Sequence, residues 1–383
     1  MGDKGNFRSF FQKSKNLTAV GIANLVANGI SAVFWLFLAS LLGKEGYGEL
    51  GYLFAIIGMA GAFALVGSHN TLSVYVAKGV KIQATIFFIT IIAGFGISIF
   101  LLIFTHNIFV SFYPLALVAF SVIIYDCLGR KAFVNYAKYM IIQRILMVTL
   151  SLIFLQIWEI NGIILGYTLS LGVFLILVYK GFKQGKIEFR LLKERKHFIK
   201  NSFITHVLSV TSINVDKIII FPIFGATILG SYQLGFQIFT LLLLLPNIVT
   251  LYSLPHDASG NKNIKLKKYT VIISSFITVL TIVLSPILIP QIFPKFIESI
   301  EVLQIMAFAV VPSALVLIFT SELLGNEKSR IVALGSMVSI ITLIIGVLLL
   351  GEYIGLIGMA FSLVIAKSLE CGILFVFKRK IGV

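Results

Sequence analysis

Twelve apolar runs, each about as long as a bilayer is thick, divide this chain, and the gaps between them alternate in charge. A helix crosses the hydrocarbon layer with about 20 apolar residues, and on that ruler the runs fall at 17–42, 50–77, 84–104, 108–128, 139–158, 160–179, 201–223, 230–254, 269–289, 299–323, 329–350 and 354–377. Of the 31 lysines and arginines, 26 lie in every second gap, counting Arg330 at the start of the eleventh run with the gap before it; the other gaps hold only Lys44 and Lys295, and Arg144, Lys217 and Lys367 lie inside the runs. Strict alternation of this kind is the positive-inside pattern. It predicts an all-α, multi-pass protein of the cell membrane, with both termini cytoplasmic. A mean hydropathy of +1.03 excludes an ordinary soluble domain. The net charge of +16 would otherwise suggest a nucleic-acid partner, but basic cytoplasmic loops account for most of it. Tyr113, Tyr139, Trp158, Tyr179 and Tyr269 fall near run boundaries, as interfacial aromatics do.

The N-terminus lacks a short apolar stretch with a cleavage site, which argues against a removed signal peptide. Two cysteines and five scattered histidines make no ligand set, and neither GxxxxGK[ST], HExxH nor CxxC occurs. No cofactor and no metal is therefore expected. The gaps outside are too short to form a soluble domain or to fold over a substrate, so function is expected among the helices.

An internal repeat is visible. LLGKEGYGELG (41–51) ends the first run much as IFGATILGSYQLG (223–235) ends the seventh, pairing Gly43 with Gly225, Tyr47 with Tyr232 and Gly51 with Gly235. The sixth and twelfth runs begin alike, as NGIILGYTLS (161–170) and IGLIGMAFSL (354–363). Both likenesses join runs six apart. An even offset keeps orientation, so the expectation is a parallel duplication: an N-terminal six-helix bundle over 1–180, a basic cytoplasmic linker over 181–200, and a C-terminal six-helix bundle over 201–383.

Charges inside a span are expensive and need partners or water. Lys367 lies ~18 Å from one end of its span and ~16 Å from the other at 1.5 Å per residue, too far to snorkel. It either pairs with Glu370, three residues on, or faces a cavity. Asp216 and Lys217 are neighbours in sequence; side chains about 100° apart on a helix are not expected to pair closely, so each needs a group from another helix or a cavity. Arg144 either snorkels to the cytoplasmic surface or presents its guanidinium to a cavity, where its fork suits a phosphate. Asp126 and Arg130 read as an i,i+4 surface pair. Asn24 and Asn28 share one face of the first span, and the second span carries His69 and Asn70; these are either hydrogen-bonding glue between helices or cavity lining. Pro222, Pro246, Pro286 and Pro312 read as kinks.

Six stretches together carry a resemblance: LLGKEGYGELG (41–51), VDKIIIFPIFGATILGSYQLG (215–235), LLLLLPNIVTLYSLP (241–255), IFPKFIESIEVLQIMAFAVVPSAL (292–315), LLGNEKSR (323–330) and GEYIGLIGMAFSLVIAKSLE (351–370). In their order and spacing the chain resembles the Wzx-like polysaccharide flippases of the multidrug/oligosaccharidyl-lipid/polysaccharide exporter superfamily. The resemblance implies two six-helix bundles around a cavity that opens alternately to either face. It implies a polyprenyl-phosphate- or -pyrophosphate-linked oligosaccharide as substrate, moved to the outer leaflet among membrane lipids, with Na+ or H+ as a coupling ion and no enzymatic step. Asp216 and Lys217 match the acid–base pair usual in the seventh span, and Arg144 a basic position of the fifth. Where the family often has an arginine late in the second span, this chain has HNTLSVYVAK; His69 and Lys78 are the groups that stand there. The substrate-binding residues so implied are Arg144, Lys217, Lys367, Asp216, Asn24, Asn28, His69 and Asn70. Lipid II flippases and drug/cation antiporters of the same superfamily remain alternatives, and a membrane glycosyltransferase or ligase is a more distant one. An antiporter cavity wants carboxylates, and mid-span acids are few; a lipid-sugar enzyme wants a large external loop, and none exists.

Overall fold

The computed structural model describes residues 4–182, 185–258, 263–326 and 328–381. Its helices, in chain order, are α1 (Lys4–Ala64), α2 (Ser68–Ala77), α3 (Gln83–Thr105), α4 (Ile108–Ser111), α5 (Tyr113–Gly129), α6 (Phe133–Gly172), α7 (Leu175–Phe182), α8 (Phe189–Phe224), α9 (Ala226–Leu242), α10 (Leu244–Ala258), α11 (Ile264–Ile292), α12 (Ser299–Ala307), α13 (Val310–Gly325), α14 (Ser329–Ile354) and α15 (Leu356–Ile381).

Among the described residues, eight helical stretches are long and apolar enough to cross a membrane. Two of these, Gly21–Ala64 and Phe133–Phe182, are too long for one crossing and break internally, α1 at Gly43 and α6 at Trp158–Glu159, so each makes two spans. Two pairs bent by 42°, α9 with α10 and α12 with α13, complete the twelve. The second span starts earlier than the apolar pattern suggests. Gly43 alone turns the chain (φ 70°, ψ −174°), so the helix resumes at Lys44 rather than at residue 50.

The breaks repeat between the halves. Gly225 (φ 88°, ψ 170°) turns the chain after the seventh span as Gly43 does after the first. Gly355 (φ 64°, ψ −140°) turns it after the eleventh as Glu159 (φ 48°, ψ −129°) does after the fifth. Beyond these turns the returning helices touch backbone to backbone: a Cβ on Gly162 would lie 2.0 Å from the Phe154 carbonyl oxygen, and one on Gly358 2.0 Å from that of Leu350. The duplication is thus written in backbone geometry. Its register differs from the one that letter matching suggests. Gly48, not Gly51, is the counterpart of a contact glycine, Gly230, while Tyr47 corresponds to Leu229 rather than Tyr232. Tyr47 and Leu229 are both fully buried.

Pro246 and Pro312 sit just beyond the two bends, where a missing N–H and the ring disturb the carbonyl four residues back. The helices run on through Pro222 and Pro286. The second span also breaks without proline, at Val66 (φ 47°) and Gly67 (φ 70°).

The chain packs as two units, the first holding residues 1–34 and 56–210, the second 35–55 and 211–383. In the first, the turn at Gly67 sits on α8: its carbonyl accepts from Ser202 Oγ (3.1 Å), and a Cβ there would meet the Ile199 carbonyl oxygen at 2.6 Å. In the second, residues 44–51 cross the start of α9. A Cβ on Gly48 would lie 1.9 Å from the Ala226 oxygen, and one on Gly230 would lie 1.9 Å from the Lys44 oxygen. The contact is reciprocal, as a local two-fold between repeated segments requires. Small residues let membrane helices approach this closely, since lipid gives them no hydrophobic drive to associate. Tyr47 packs edge-on to Phe296 and Trp35, and Lys44, one of the two outer-gap cations, pairs with Glu298 at 2.8 Å. The core behind this crossing runs from Ile220, Tyr232 and Phe236 through Val302 and Met306 to Leu343, Met359 and Leu363.

Candidate functional site

In the second unit a cavity of about 340 Å3 lies among α8, α9, α10, α13 and α15. Its volume is within the range of small-molecule sites. Ser212, Phe236, Asn247, Ser313 and Lys367 contribute to its wall. The hydroxyls of Ser212 and Ser313 are buried and hydrogen-bond to nothing among the described residues, although Ser313 is only 4% exposed. A buried hydroxyl without a partner costs about 1–3 kcal/mol, so a small shift of the wall that exposed either one would give it a partner in whatever enters.

Lys367 Nζ is 2.8 Å from Glu370 Oε2, the partner its i,i+3 spacing predicts, and Ser336 Oγ donates to Glu370 Oε1 (3.2 Å). The same lysine lines the cavity. An ammonium has three donors, and the carboxylate takes one. Both readings of Lys367 therefore hold together: it is paired, and it faces the cavity.

Asp216 and Lys217 contradict the expectation that they stay apart. Lys217 Nζ reaches Asp216 Oδ1 at 3.0 Å and also donates to the Ile213 carbonyl. The 100° between Cα–Cβ directions does not prevent this, because the lysine stem is long enough to fold back along the helix. Asp216 is fully buried and also accepts from Tyr232 Oη (2.8 Å) and from the Lys217 amide (2.9 Å). Lys217 Nζ lies 3.6 Å from the ring centre of Phe236, a cation–π contact with a residue of the cavity wall.

The second unit also holds a charge network that the loop pattern concealed. Lys267 Nζ bonds both oxygens of Asp257 (2.6 and 2.7 Å) and Glu322 Oε1 (3.0 Å); Ser321 Oγ donates to Asp257 Oδ2 (2.7 Å), and Lys378 pairs with Glu322. It ties α10, α11, α13 and α15 together. Lys267 and Lys378, two of the cations that topology alone explained, are thus also structural.

In the first unit Arg144 does not snorkel. Its Nη1 donates to Tyr167 Oη (3.0 Å) on the next span, while its Nε is buried without a partner among the described residues. Tyr136 Oη donates to Asn24 Oδ1 (2.9 Å), so Asn24 acts as glue. His69 packs against His206 of α8 with ring centres 4.4 Å apart and planes tilted by 43°, and lies 5.7 Å from Tyr125. Asn28 and Asn70 are exposed, and their side chains make no hydrogen bond among the described residues. Arg130 pairs with Asp126 at 2.7 Å, as expected. Of the eight candidates, then, Asp216, Lys217 and Lys367 gather at or beside one cavity, and Arg144, Asn24 and His69 are each held by an aromatic or imidazole partner. Their partners, Tyr167, Tyr136 and His206, were not singled out from sequence, and Tyr232 was singled out only as a repeat match, not as the partner of Asp216. A tyrosine 16 residues from an aspartate becomes its neighbour only once Gly225 turns the chain.

No protein-family model matches this chain, and no curated protein matches it in sequence. Solved structures do match in shape. The lipid II flippase MurJ, in an inward closed conformation, has a TM-score of 0.73 at 14% identity, over 92% of this chain and 87% of that one. An inward-facing multidrug resistance MATE family transporter of the MOP superfamily has 0.72 at 12% identity, over 94% and 98%. A mutant of the MATE transporter VcmN of Vibrio cholerae has 0.65 at 13% identity, over 98% and 96%. The chain has the fold of these membrane transporters.

Proposed function

We propose that this protein is a flippase that carries a polyprenyl-phosphate- or -pyrophosphate-linked oligosaccharide from the cytoplasmic to the outer leaflet of the cell membrane. It works by alternating access, with both termini cytoplasmic, in the service of glycan export. The observation that carries the proposal is the cavity of about 340 Å3 whose wall holds Lys367 together with Ser212 and Ser313. An ammonium with free donors neutralises a phosphate, and hydroxyls exchange hydrogen bonds with sugar or phosphate oxygens. Lys217, beside the cavity, adds positive charge that Asp216 tempers. Arg144, held by Tyr167, is the corresponding cation of the first unit.

Asp216 and Glu370 already hold ammonium groups at 3.0 and 2.8 Å. Neither is a bare carboxylate waiting for an organic cation, which weakens the drug-antiporter reading. Lipid II is the second reading, favoured by the likeness to MurJ. The test is purified protein in vesicles containing polyprenyl-pyrophosphate oligosaccharide with a fluorescent headgroup, scored by access of an external quencher. Protein-dependent flipping that falls about tenfold in Lys367→Gln supports the proposal. A disaccharide–pentapeptide headgroup flipped in its place favours the second reading. Ethidium extrusion without lipid movement overturns both.

A further inference from the structure

The start of α8, Phe189–Lys200, forms an arm on the flank of the first unit. Aromatic contacts seat it: Phe198 against Tyr75 of α2 (ring centres 5.2 Å) and Phe189 against Phe88 of α3 (6.1 Å), while Phe203, just beyond it on α8, packs on Phe63 (6.0 Å). The Glu188 amide, just before the arm, donates to Thr85 Oγ1 at 2.9 Å. Against the arm lies a second cavity of about 340 Å3, separate from the one described above. Its wall is almost wholly apolar, with Ile86, Ile89, Ile199 and Phe203 among its residues. The hydroxyl of Thr90, which also lines it, is turned back to the Ile86 carbonyl at 2.8 Å.

The charged groups on that wall are Lys196 and Lys200, one helical turn apart and both exposed. Their neighbours Arg190 and Arg195 both pair with Glu194. Lys196 and Lys200 pair with no carboxylate among the described residues. Two uncompensated ammonium groups therefore stand at the rim of an apolar slot.

We propose that this slot binds one anionic phospholipid, an acyl chain lying between α3 and α8 and the phosphate beneath Lys196 and Lys200. A free phosphate would leave the apolar wall uncovered. A zwitterionic lipid would bring its own ammonium up against the two lysines. The charge alternation places this arm on the cytoplasmic side, where anionic lipids attract basic segments at about 1 kcal/mol per lysine, or about fivefold in affinity each.

Native mass spectrometry of the full chain, titrated with dioleoyl phosphatidylglycerol or dioleoyl phosphatidylcholine, tests this. The expected result is retention of one phosphatidylglycerol in preference to phosphatidylcholine. Lys196→Gln with Lys200→Gln should weaken it about 25-fold, and Ile89→Trp, which fills the slot but keeps both charges, should also weaken it. Lys265→Gln with Lys268→Gln, exposed lysines elsewhere on the same predicted face, should not. Equal retention of the two lipids, full retention by the lysine double variant, or displacement of the lipid by millimolar inorganic phosphate would each overturn the proposal. If the lysine variant fails to fold, Ile89→Trp and the two-lipid comparison decide it alone.

Discussion

Alanine at Gly48 or Gly230 probes the reciprocal crossing in the second unit directly. A Cβ at either position would sit 1.9 Å from a backbone oxygen, Ala226 in one case and Lys44 in the other. Neither obstacle is a side chain that could swing away, so the two segments must part by more than 1 Å. Overpacking of this kind costs about 1–3 kcal/mol. Parting them also loosens Tyr47 against Phe296 and stretches the Lys44–Glu298 pair. Because the contact is reciprocal, one separation relieves both clashes. The two single variants should therefore cost similar amounts, and the double variant should cost clearly less than their sum, close to the larger single value. Trp35 packs edge-on to Tyr47 (6.1 Å) and Phe54 (5.0 Å), so its fluorescence in a Trp158→Phe background reports unfolding at this crossing. Gly96→Ala is the control: nothing lies within 4 Å of its added Cβ, and helix propensity makes it neutral or stabilising by up to ~1 kcal/mol. Strict additivity, or a Gly48→Ala variant no less stable than Gly96→Ala, would refute the shared-separation argument.

Asp216→Ala strands Lys217 in a buried site and should destabilise the protein by about 3–5 kcal/mol, whereas Tyr232→Phe removes one hydrogen bond to the same carboxylate and should cost about 1 kcal/mol; chemical denaturation in detergent separates them. Lys267→Met leaves Asp257 and Glu322 without their shared cation. It should cost about 3 kcal/mol or more in the same assay, against near neutrality for an exposed lysine such as Lys265. In the vesicle assay, Ser313→Ala should slow lipid flipping while leaving thermal stability unchanged or slightly raised, because the hydroxyl has no partner to lose.

The span count, the six-span offset and the isolation of Lys217 and Lys367 could be read from sequence because each follows from local composition. Hydropathy over 20 residues marks a crossing wherever its neighbours lie. Register and partnership could not. Gly48 and Gly230 look like any interfacial glycines until the backbone at Gly43 and Gly225 turns each segment toward the other. Matching letters then favoured the tyrosines, Tyr47 and Tyr232, whose roles differ: one packs on Phe296, the other donates to Asp216. Lys267 and Lys378 were hidden for another reason. A cation in a basic gap is explained by topology before its burial is asked about, and the acids that hold these two come from other helices. The partner of Arg144 was hidden because the oxygen that accepts from its Nη1, on Tyr167, comes from the returning span.

The pairing of the in-span cations bears on how the proposed transport would work. A bare ammonium buried in the second unit would hold a phosphate too well to release it, since one interacting charge pair strengthens steeply as the surroundings become less polar. Lys367 is instead balanced by Glu370, and Lys217 by Asp216, so an arriving headgroup must compete with a carboxylate already in place. Binding is weakened, but so is the cost of leaving the site empty between cycles. The consequence can be checked: Glu370→Gln removes the competitor for Lys367 while Ser336 keeps a partner in the amide. It should tighten retention of the lipid-linked oligosaccharide by up to about tenfold and slow its release, so that flipping in vesicles falls although binding improves. If Glu370→Gln weakens both binding and flipping, the carboxylate orients Lys367 rather than competing for it, and the tempered-cation argument fails.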